Sequence, residues 1–464
     1  MNRKLWFLVI VVLLSRIPLL FIGYGIEEDS WGIARAVITT AETGVYETSR
    51  LPGHPVHELF YLLAPFAGPV FYNGLTALFS CIAVLFFALA LRELGFKDHI
   101  LPAYTLAFIP VFYVSSTYTI DYVWTLAFTM ISFYYLLRKH LVLSGIFLGL
   151  AVGCRLTAGA MLLPFFVLLY FQKQNIAVYV KLLIPLFAVA FFSYSILYLA
   201  YGFSFFRFYD QFSYPAITKV IFKGTIGVFG ALGLMGILYA KYSVLKNKLQ
   251  LAGRENLTVP IPAGLLLACN IIFVMYIISY LRLPQKSGYL IPILPFVLIS
   301  AACYLDLKKF RIVCILLMLS SLFFSINLTD EKRGSGHSGL AVRFTISGQE
   351  VFIDPLTGPV FADQTKRLQK KMYVSKVIRE SLNRNDAYVV IAGWWYNQVK
   401  VTLHSLGMNR QEGHFEFYLT RSAIDFYISQ GCKVYYLAEQ DKYNDEYSKM
   451  NYTGTVATLF LTEE

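Results

Sequence analysis

Residues Leu5 to Trp31 read LWFLVIVVLLSRIPLLFIGYGIEEDSW, an apolar run reaching about Ile22 that closes on three consecutive acids, Glu27, Glu28 and Asp29. About 20 mainly apolar residues is the length that crosses the hydrocarbon core of a bilayer. Arg3 and Lys4 precede the run, as they would in a secretion signal. No small-residue cleavage site follows, and more apolar segments do, so the stretch reads as an uncleaved first membrane helix.

The rest of the chain extends that reading. Of 464 residues, 57% are hydrophobic and 15% charged, against roughly 25% charged in ordinary soluble domains. The deficit is uneven. Residues 1–328 hold long apolar blocks, and residues 329–464 look like a soluble sequence. The length test predicts about eleven spans, centred near residues 13, 83, 109, 129, 147, 163, 190, 233, 271, 296 and 319. Lys and Arg collect in cytoplasmic loops. With the N-terminus inside, the inner positions hold fifteen Lys or Arg, and the longer outer loops hold eight. An odd number of spans then puts the C-terminal region outside. The architecture expected is an α-helical polytopic membrane domain over residues 1–328, with an outer loop at 23–70, and a small extracytoplasmic α/β domain over 329–464.

The net charge of +12 does not indicate nucleic acid, because the basic residues lie between apolar blocks rather than on one face. None of the six cysteines forms a C-x-x-C pair, so neither a disulfide framework nor a zinc site is indicated. The sequons at Asn256, Asn327 and Asn451 are short patterns expected by chance. Residues 334–339, GSGHSG, read as a linker. Beyond them, apolar runs at 387–392, 433–438 and 456–461 read as buried strands, and 366–382 and 422–429 carry helical spacing. That alternation suggests an α/β layer. No phosphate-binding glycine motif supports nucleotide binding there, and the region reads as structural or acceptor-docking.

Three outer segments can meet at one surface: residues 23–70, 115–121 and 202–223. The first carries Glu27, Glu28 and Asp29, which fit either a solvated helix start or carboxylates in use, since ionised groups at the membrane face are costly unless solvated, paired or employed. Asp121 fits a helix N-cap or a partner for Asp29 across one cavity. Arg155 sits in an apolar stretch, and Arg282 and Lys286 flank a turn that ends in Tyr289. Arg and Lys are natural partners of phosphate oxygens, and equally snorkel to lipid headgroups. His54 and His57, at i, i+3 with no third His nearby, fit a substrate hydrogen bond or a loop contact better than a metal.

The order of these pieces resembles the GT-C glycosyltransferases, membrane enzymes that use polyprenyl-phosphate sugars, including protein O-mannosyltransferases, the aminoarabinose transferase of lipid A and oligosaccharyltransferases. The resemblance covers about residues 1–328. It rests on Glu28-Asp29-Ser30-Trp31 after the first span, Gly44-Val45-Tyr46 and Pro52-Gly53-His54-Pro55 downstream, the Gly-rich Leu148–Arg155 with Leu163-Pro164, and the Tyr289–Pro295 stretch YLIPILP. It implies a hexosyl or pentosyl transferase of the inner (plasma) membrane. That enzyme would pass sugar, with inversion, from a polyprenyl-phosphate donor to a hydroxyl of a lipid, glycan or protein acceptor on the extracytoplasmic side. Asp29 takes the role of base by resemblance, with Glu28 and Asp121 supporting. Two Glu precede the Asp where the family commonly has Asp-Glu, so Glu28 and Asp29 are both open for that role. Arg155, Arg282, Lys286 and Tyr289 are placed near the donor phosphate, and Arg50, His54 and His57 in the substrate loop. A divalent cation, Mg or Mn, could bridge Asp29 and Asp121 to phosphate. Trp394-Trp395 is followed by Tyr396 rather than Asp, unlike oligosaccharyltransferases. Two other readings compete: a transporter or flippase, which would place its charges near the membrane midplane, and a non-catalytic scaffold with an outer binding domain.

Overall fold

A computed structural model describes residues 3–206, 214–247, 251, 256, 258, 261–327, 340–346, 349–384, 386–408 and 413–437. The 334–339 linker, the 456–461 strand, Asn451 and the middle of the 202–223 loop lie outside the described residues.

The chain begins with α1 (Arg3–Arg16), then α2 (Glu28–Thr43) and α3 (Pro55–Tyr61). Next come α4 (Gly68–Glu93), α5 (Ile100–Phe108), α6 (Pro110–Ser115), α7 (Asp121–Leu137), α8 (Leu141–Cys154), α9 (Leu162–Phe171) and α10 (Ile176–Tyr201). The helical region closes with α11 (Ile217–Gly224), α12 (Ile226–Lys246), α13 (Leu265–Arg282), α14 (Leu294–Tyr304) and α15 (Leu307–Leu319). Among the described residues, five stretches are long and apolar enough to cross a membrane: 68–93, 176–204, 226–246, 265–282 and 287–304. The expected count of eleven is not reached by length. α1 and α8 have 14 residues, α15 has 13, and α9 has 10. At about 1.5 Å per residue these fall short of a hydrocarbon core about 30 Å thick. The run near residue 109 breaks into two helices because Pro110 cannot continue α5.

α7 is the centre of the bundle. From Tyr122 to Leu137 it carries no charged side chain, and nearly every residue is buried, as expected of a helix apolar all round. Trp124 stacks on Phe79 of α4 (3.6 Å between centroids) and donates to Thr76 Oγ1 at 3.1 Å. α8 meets α10 through Gly145, Gly149 and Gly153, spaced four apart on one face. A Cβ at each would collide with Leu182 and Pro185, with Leu186 and Val189, or with Ser193. Small residues allow such close approach of membrane helices, and here they fix where α8 ends and Arg155 begins. At the break between α5 and α6, the buried Arg16 donates to the Ala107 carbonyl and to Ser116 Oγ at 3.0 Å, and lies 4.2 Å over the Tyr113 ring. It thereby answers polar groups that the proline break exposes.

After α15 the chain forms an antiparallel sheet of β1 (Ser325–Asn327), β2 (Val342–Ile346) and β3 (Gln349–Asp354), ordered β1-β3-β2. Then follow α16 (Pro359–Leu382), β4 (Tyr388–Ile391), α17 (Tyr396–Ser405), β5 (Phe415–Glu416), α18 (Arg421–Ser429) and β6 (Lys433–Tyr436). These last three strands pair in parallel, in the order β5-β4-β6. Val390 packs with Val374, Val377 and Val399 of α16 and α17, and Val389 and Ile391 pack with Ile424 of α18. Burial on both faces explains why β4 reads as a continuous apolar run rather than an alternating one.

α16 is clamped to the helical bundle. Asp363 accepts from Tyr118 and from Arg367 Nε (3.0 Å). Arg367 also donates to the Leu19 carbonyl (3.2 Å), the Thr117 carbonyl (3.3 Å) and Thr117 Oγ1 (2.9 Å), and is 2% exposed. Removing one member of such a buried pair leaves the other uncompensated, at about 3–5 kcal/mol. Arg367→Met should therefore lower the thermal unfolding midpoint in detergent by several degrees. The double variant Arg367→Met, Asp363→Leu should recover part of the loss, and an unchanged midpoint in the single variant would contradict the clamp.

Candidate active site

α2 starts at a sharp turn. Gly23 and Gly25 both have positive φ, at 69° and 156°, and Trp31 reaches back to donate to the Gly25 carbonyl at 3.0 Å. This sets Glu27, Glu28 and Asp29 at the mouth of the bundle. None of the three caps the helix with its side chain. Asp121 is likewise not the N-cap that its sequence position allowed: Ile120 occupies that place, and the Asp121 carboxylate turns inward.

The acids diverge to different partners. Lys286, just before the 3₁₀ segment Ser287–Ile293, pairs with Glu27 Oε2 at 2.7 Å and with Asp29. Asp29 also pairs with Arg50, whose other nitrogen lies 3.6 Å from Asp121 Oδ1. Arg155 Nη1 lies 2.7 Å from Asp121 Oδ2. Asp29 and Asp121, expected to face one cavity, are thus joined through Arg50. They differ in access: the Asp121 side chain is 0% exposed, whereas Asp29 keeps 20% and so can meet an incoming group. Arg155 is held between two rings, 4.7 Å from the Tyr122 centroid and 4.8 Å from that of Tyr289. Burial disfavours the Lys286 ammonium, but Glu27 and the neighbouring tyrosines outweigh it and raise its pKa, so Lys286 is a cation at neutral pH.

His54 lies inside this cluster. Its Nε2 accepts from Arg50 Nε at 3.1 Å, which leaves the proton on Nδ1, donated to the Cys154 carbonyl at 2.7 Å. Burial lowers its pKa despite Asp121, consistent with a neutral ring that orients Arg50. His57 is fully enclosed against Tyr61 and Trp124, and burial pushes its pKa down to about 3. Arg282 is exposed at the end of α13 and forms no ion pair with the cluster among the described residues.

Sequence reasoning did not single out Glu58. It is 1% exposed and accepts from Tyr46 OH, Ser49 N (2.9 Å), Ser49 Oγ (2.6 Å) and Thr48 Oγ1 (3.3 Å). Thr48 N in turn donates to Tyr201 OH of α10 at 3.1 Å. Glu58 therefore fixes the segment that ends in Arg50. Its only sequence signal is an acid beside a stretch rich in hydroxyls.

Glu28 faces away from the cluster. Its Oε1 accepts from the Asn397 backbone N–H of α17 at 3.0 Å. Arg35 of α2 donates to Asn397 Oδ1 at 2.6 Å and pairs with Glu47 at 2.6 Å, and Lys370 of α16 donates to the Ile26 carbonyl at 2.7 Å. Burial raises the Glu28 pKa to about 7, although Asn397, Lys370 and Lys286 pull it down.

A divalent cation does not fit these donors. Arg50 stands between the Asp29 and Asp121 carboxylates, and both are already matched by cations. Among the described residues no group of three His, Cys, Asp or Glu could hold a metal ion.

No protein-family model matches the sequence, and no curated protein matches it. The fold does have counterparts among solved structures. One is ArnT from Cupriavidus metallidurans in the apo state: 11% identity, 98% of this chain and 88% of that chain covered, TM-score 0.52. Another is ArnT from the same organism bound to undecaprenyl phosphate: 12% identity, 98% and 90% covered, TM-score 0.53. At 11% and 12% identity these likenesses are of fold, and they extend over 98% of this chain.

The Glu28 shift sets a pH dependence. Folded, Glu28 keeps its proton up to about pH 7, and unfolded it releases it near 4.5. Between those values the folded chain binds more protons, so this group's contribution makes stability fall as pH rises through the window. Unfolding midpoints of the native chain and Glu28→Gln, compared from pH 4.5 to 7, should differ in slope, with the native chain losing more. Parallel curves would contradict the assignment.

Proposed function

We propose that this chain transfers a glycosyl group from a polyprenyl-phosphate sugar to an acceptor hydroxyl, with inversion at the anomeric carbon. The observation that carries the proposal is the Asp29 carboxylate, part-exposed and held between Lys286 and Arg50, beside the buried Asp121–Arg155 pair. A group able to take a proton and groups able to hold a phosphate meet in one place. The fold shared with ArnT, one structure of which has undecaprenyl phosphate bound, supports the same donor class.

The chemistry follows from the charges. The donor phosphate brings oxygens that compete with Asp29 and Glu27 for Lys286, and with Asp121 for Arg155. As phosphate takes Lys286, Asp29 loses a cation that suppresses its basicity. It then accepts the proton of the acceptor hydroxyl. The acceptor oxygen bonds to the anomeric carbon from the face opposite the phosphate, and the bond from that carbon to the phosphate oxygen breaks. The negative charge arriving on the departing polyprenyl phosphate is met by Lys286 and Arg155, already fixed in place by Glu27, Tyr122 and Tyr289. Arg50, oriented by His54 and Glu58, keeps Asp29 and Asp121 in register. Glu28 engages Asn397 instead of the cluster, which favours Asp29 as base. The reading includes the topology drawn from loop charge: N-terminus cytoplasmic, cluster and C-terminal region extracytoplasmic. The acceptor, whether lipid, glycan or protein, presents its hydroxyl to the part-exposed Asp29. The charged groups sit at helix ends, at the starts of α2 and α7 and the end of α8, a placement that favours a transferase over a transport pathway.

Membranes containing the native chain, given radiolabelled polyprenyl-phosphate sugars and a panel of lipid, glycan and protein acceptors, should transfer label. At equal expression, Asp29→Asn should lose about 100-fold or more, in the range removed with a general base, and Glu28→Gln should stay within a few-fold of native. Full activity in Asp29→Asn would overturn the mechanism, and loss in Glu28→Gln alone would move the base to Glu28.

A further inference from the structure

Tyr122 is the second residue of α7 and is 2% exposed. Its ring forms one wall of the slot that holds the Arg155 guanidinium, 4.7 Å away, and meets Tyr289 edge-on at 5.9 Å. The ring cannot swing aside. The backbone at Gly288 presses against it so closely that a Cβ there would collide with the ring carbons. The hydroxyl at the end of this fixed ring has no hydrogen-bond partner. A buried hydroxyl left unpaired costs free energy, and nothing in the packing of the ring requires it, because phenylalanine would fill the same slot. The fields of the cations Lys286, Arg155 and Arg50 and of the Glu27 carboxylate reach it, and Lys286 and Arg155 hold carboxylates that a phosphate would displace.

We infer that the Tyr122 hydroxyl is a hydrogen-bond donor to the phosphate of the lipid-linked substrate. The inference rests on the transferase reading above and deepens it. Phosphate oxygens only accept, so a site gathering an arginine, a lysine and an otherwise idle hydroxyl matches them donor for acceptor. The rigid ring adds direction that the flexible Lys286 stem lacks. It brings the hydroxyl to the phosphate at little entropic cost, because Arg155, Gly288 and Tyr289 already hold it.

The test is binding to the full chain in detergent with three probes: undecaprenyl phosphate, dodecyl phosphate and undecaprenol. Tyr122→Phe keeps the ring and removes only the donor. Loss of a hydrogen bond to a charged group should weaken binding of both phosphates by about tenfold to a hundredfold. Undecaprenol binding should stay as in the native chain, and the unfolding midpoint without ligand should rise rather than fall, since the variant removes a buried hydroxyl that has no partner. Equal affinity of native and variant for both phosphates would overturn this inference and leave the transferase reading standing. Equal weakening toward undecaprenol would also overturn it, since the hydroxyl would then act through the fold. If the native chain binds neither phosphate, the transferase reading and this inference fall together.

Discussion

Opposite charges that cannot reach enough water must find one another, and that constraint organises this molecule. Glu27, Asp29 and Asp121 are matched by Arg50, Arg155 and Lys286 in a continuous chain of ion pairs. The six come from the starts of α2 and α7, the end of α8, the loop before α3 and the turn after α13. No pair can form unless these distant segments converge at one end of the bundle. Such pairs are weak evidence for stability, because desolvating both charges offsets most of their attraction. On the transferase reading proposed above, what they provide is a set of partners that an incoming phosphate exchanges. The packing serves the same end: the glycine face of α8 brings Arg155 to Asp121, and Glu58 holds the loop that carries Arg50.

A second set of contacts ties the C-terminal segments to that end. Arg367 and Asp363 lock α16 against Tyr118, Thr117 and Leu19. Asn397 and Lys370 engage α2 and the turn before it, one residue from Asp29 through Glu28. The consecutive acids Glu28 and Asp29 therefore face two different parts of the protein, the C-terminal layer and the ion-pair chain. In an α-helix adjacent residues point about 100° apart, so two neighbouring carboxylates can divide structural and chemical roles without competing.

Much of this was legible in the sequence, and the rest was not for identifiable reasons. Apolar blocks announce membrane helices because burial in lipid needs composition more than order. Asp29 and Asp121 stood out because charge at a helix end beside apolar sequence is rare. β4 and β6 were visible as unbroken apolar runs. By length, five helical stretches among the described residues reach across a bilayer against about eleven expected spans, because hydropathy registers composition, while Pro110 and the 3₁₀ segments decide where a helix stops. Arg282 was as conspicuous as Arg155, yet only Arg155 lies over tyrosine rings. Arg16, Glu58, Tyr122 and Asn397 were passed over. Each has a local sequence that is ordinary, and acquires its meaning from a partner or an unfilled bond that only the folded chain supplies. Arg50 was visible as a loop residue, while its place between two carboxylates depends on segments about 20 and about 70 residues away.

The central claim is that Asp29 and Asp121 hold the cations for a phosphate that replaces them. Its most direct measurement is an experimental structure of the full chain with undecaprenyl phosphate bound. The account predicts the phosphate within hydrogen-bond distance of Lys286 and Arg155, with Lys286 withdrawn from Asp29 and Arg50 still beside both carboxylates. A phosphate seated elsewhere, with the Lys286–Asp29 and Arg155–Asp121 pairs intact, would contradict it.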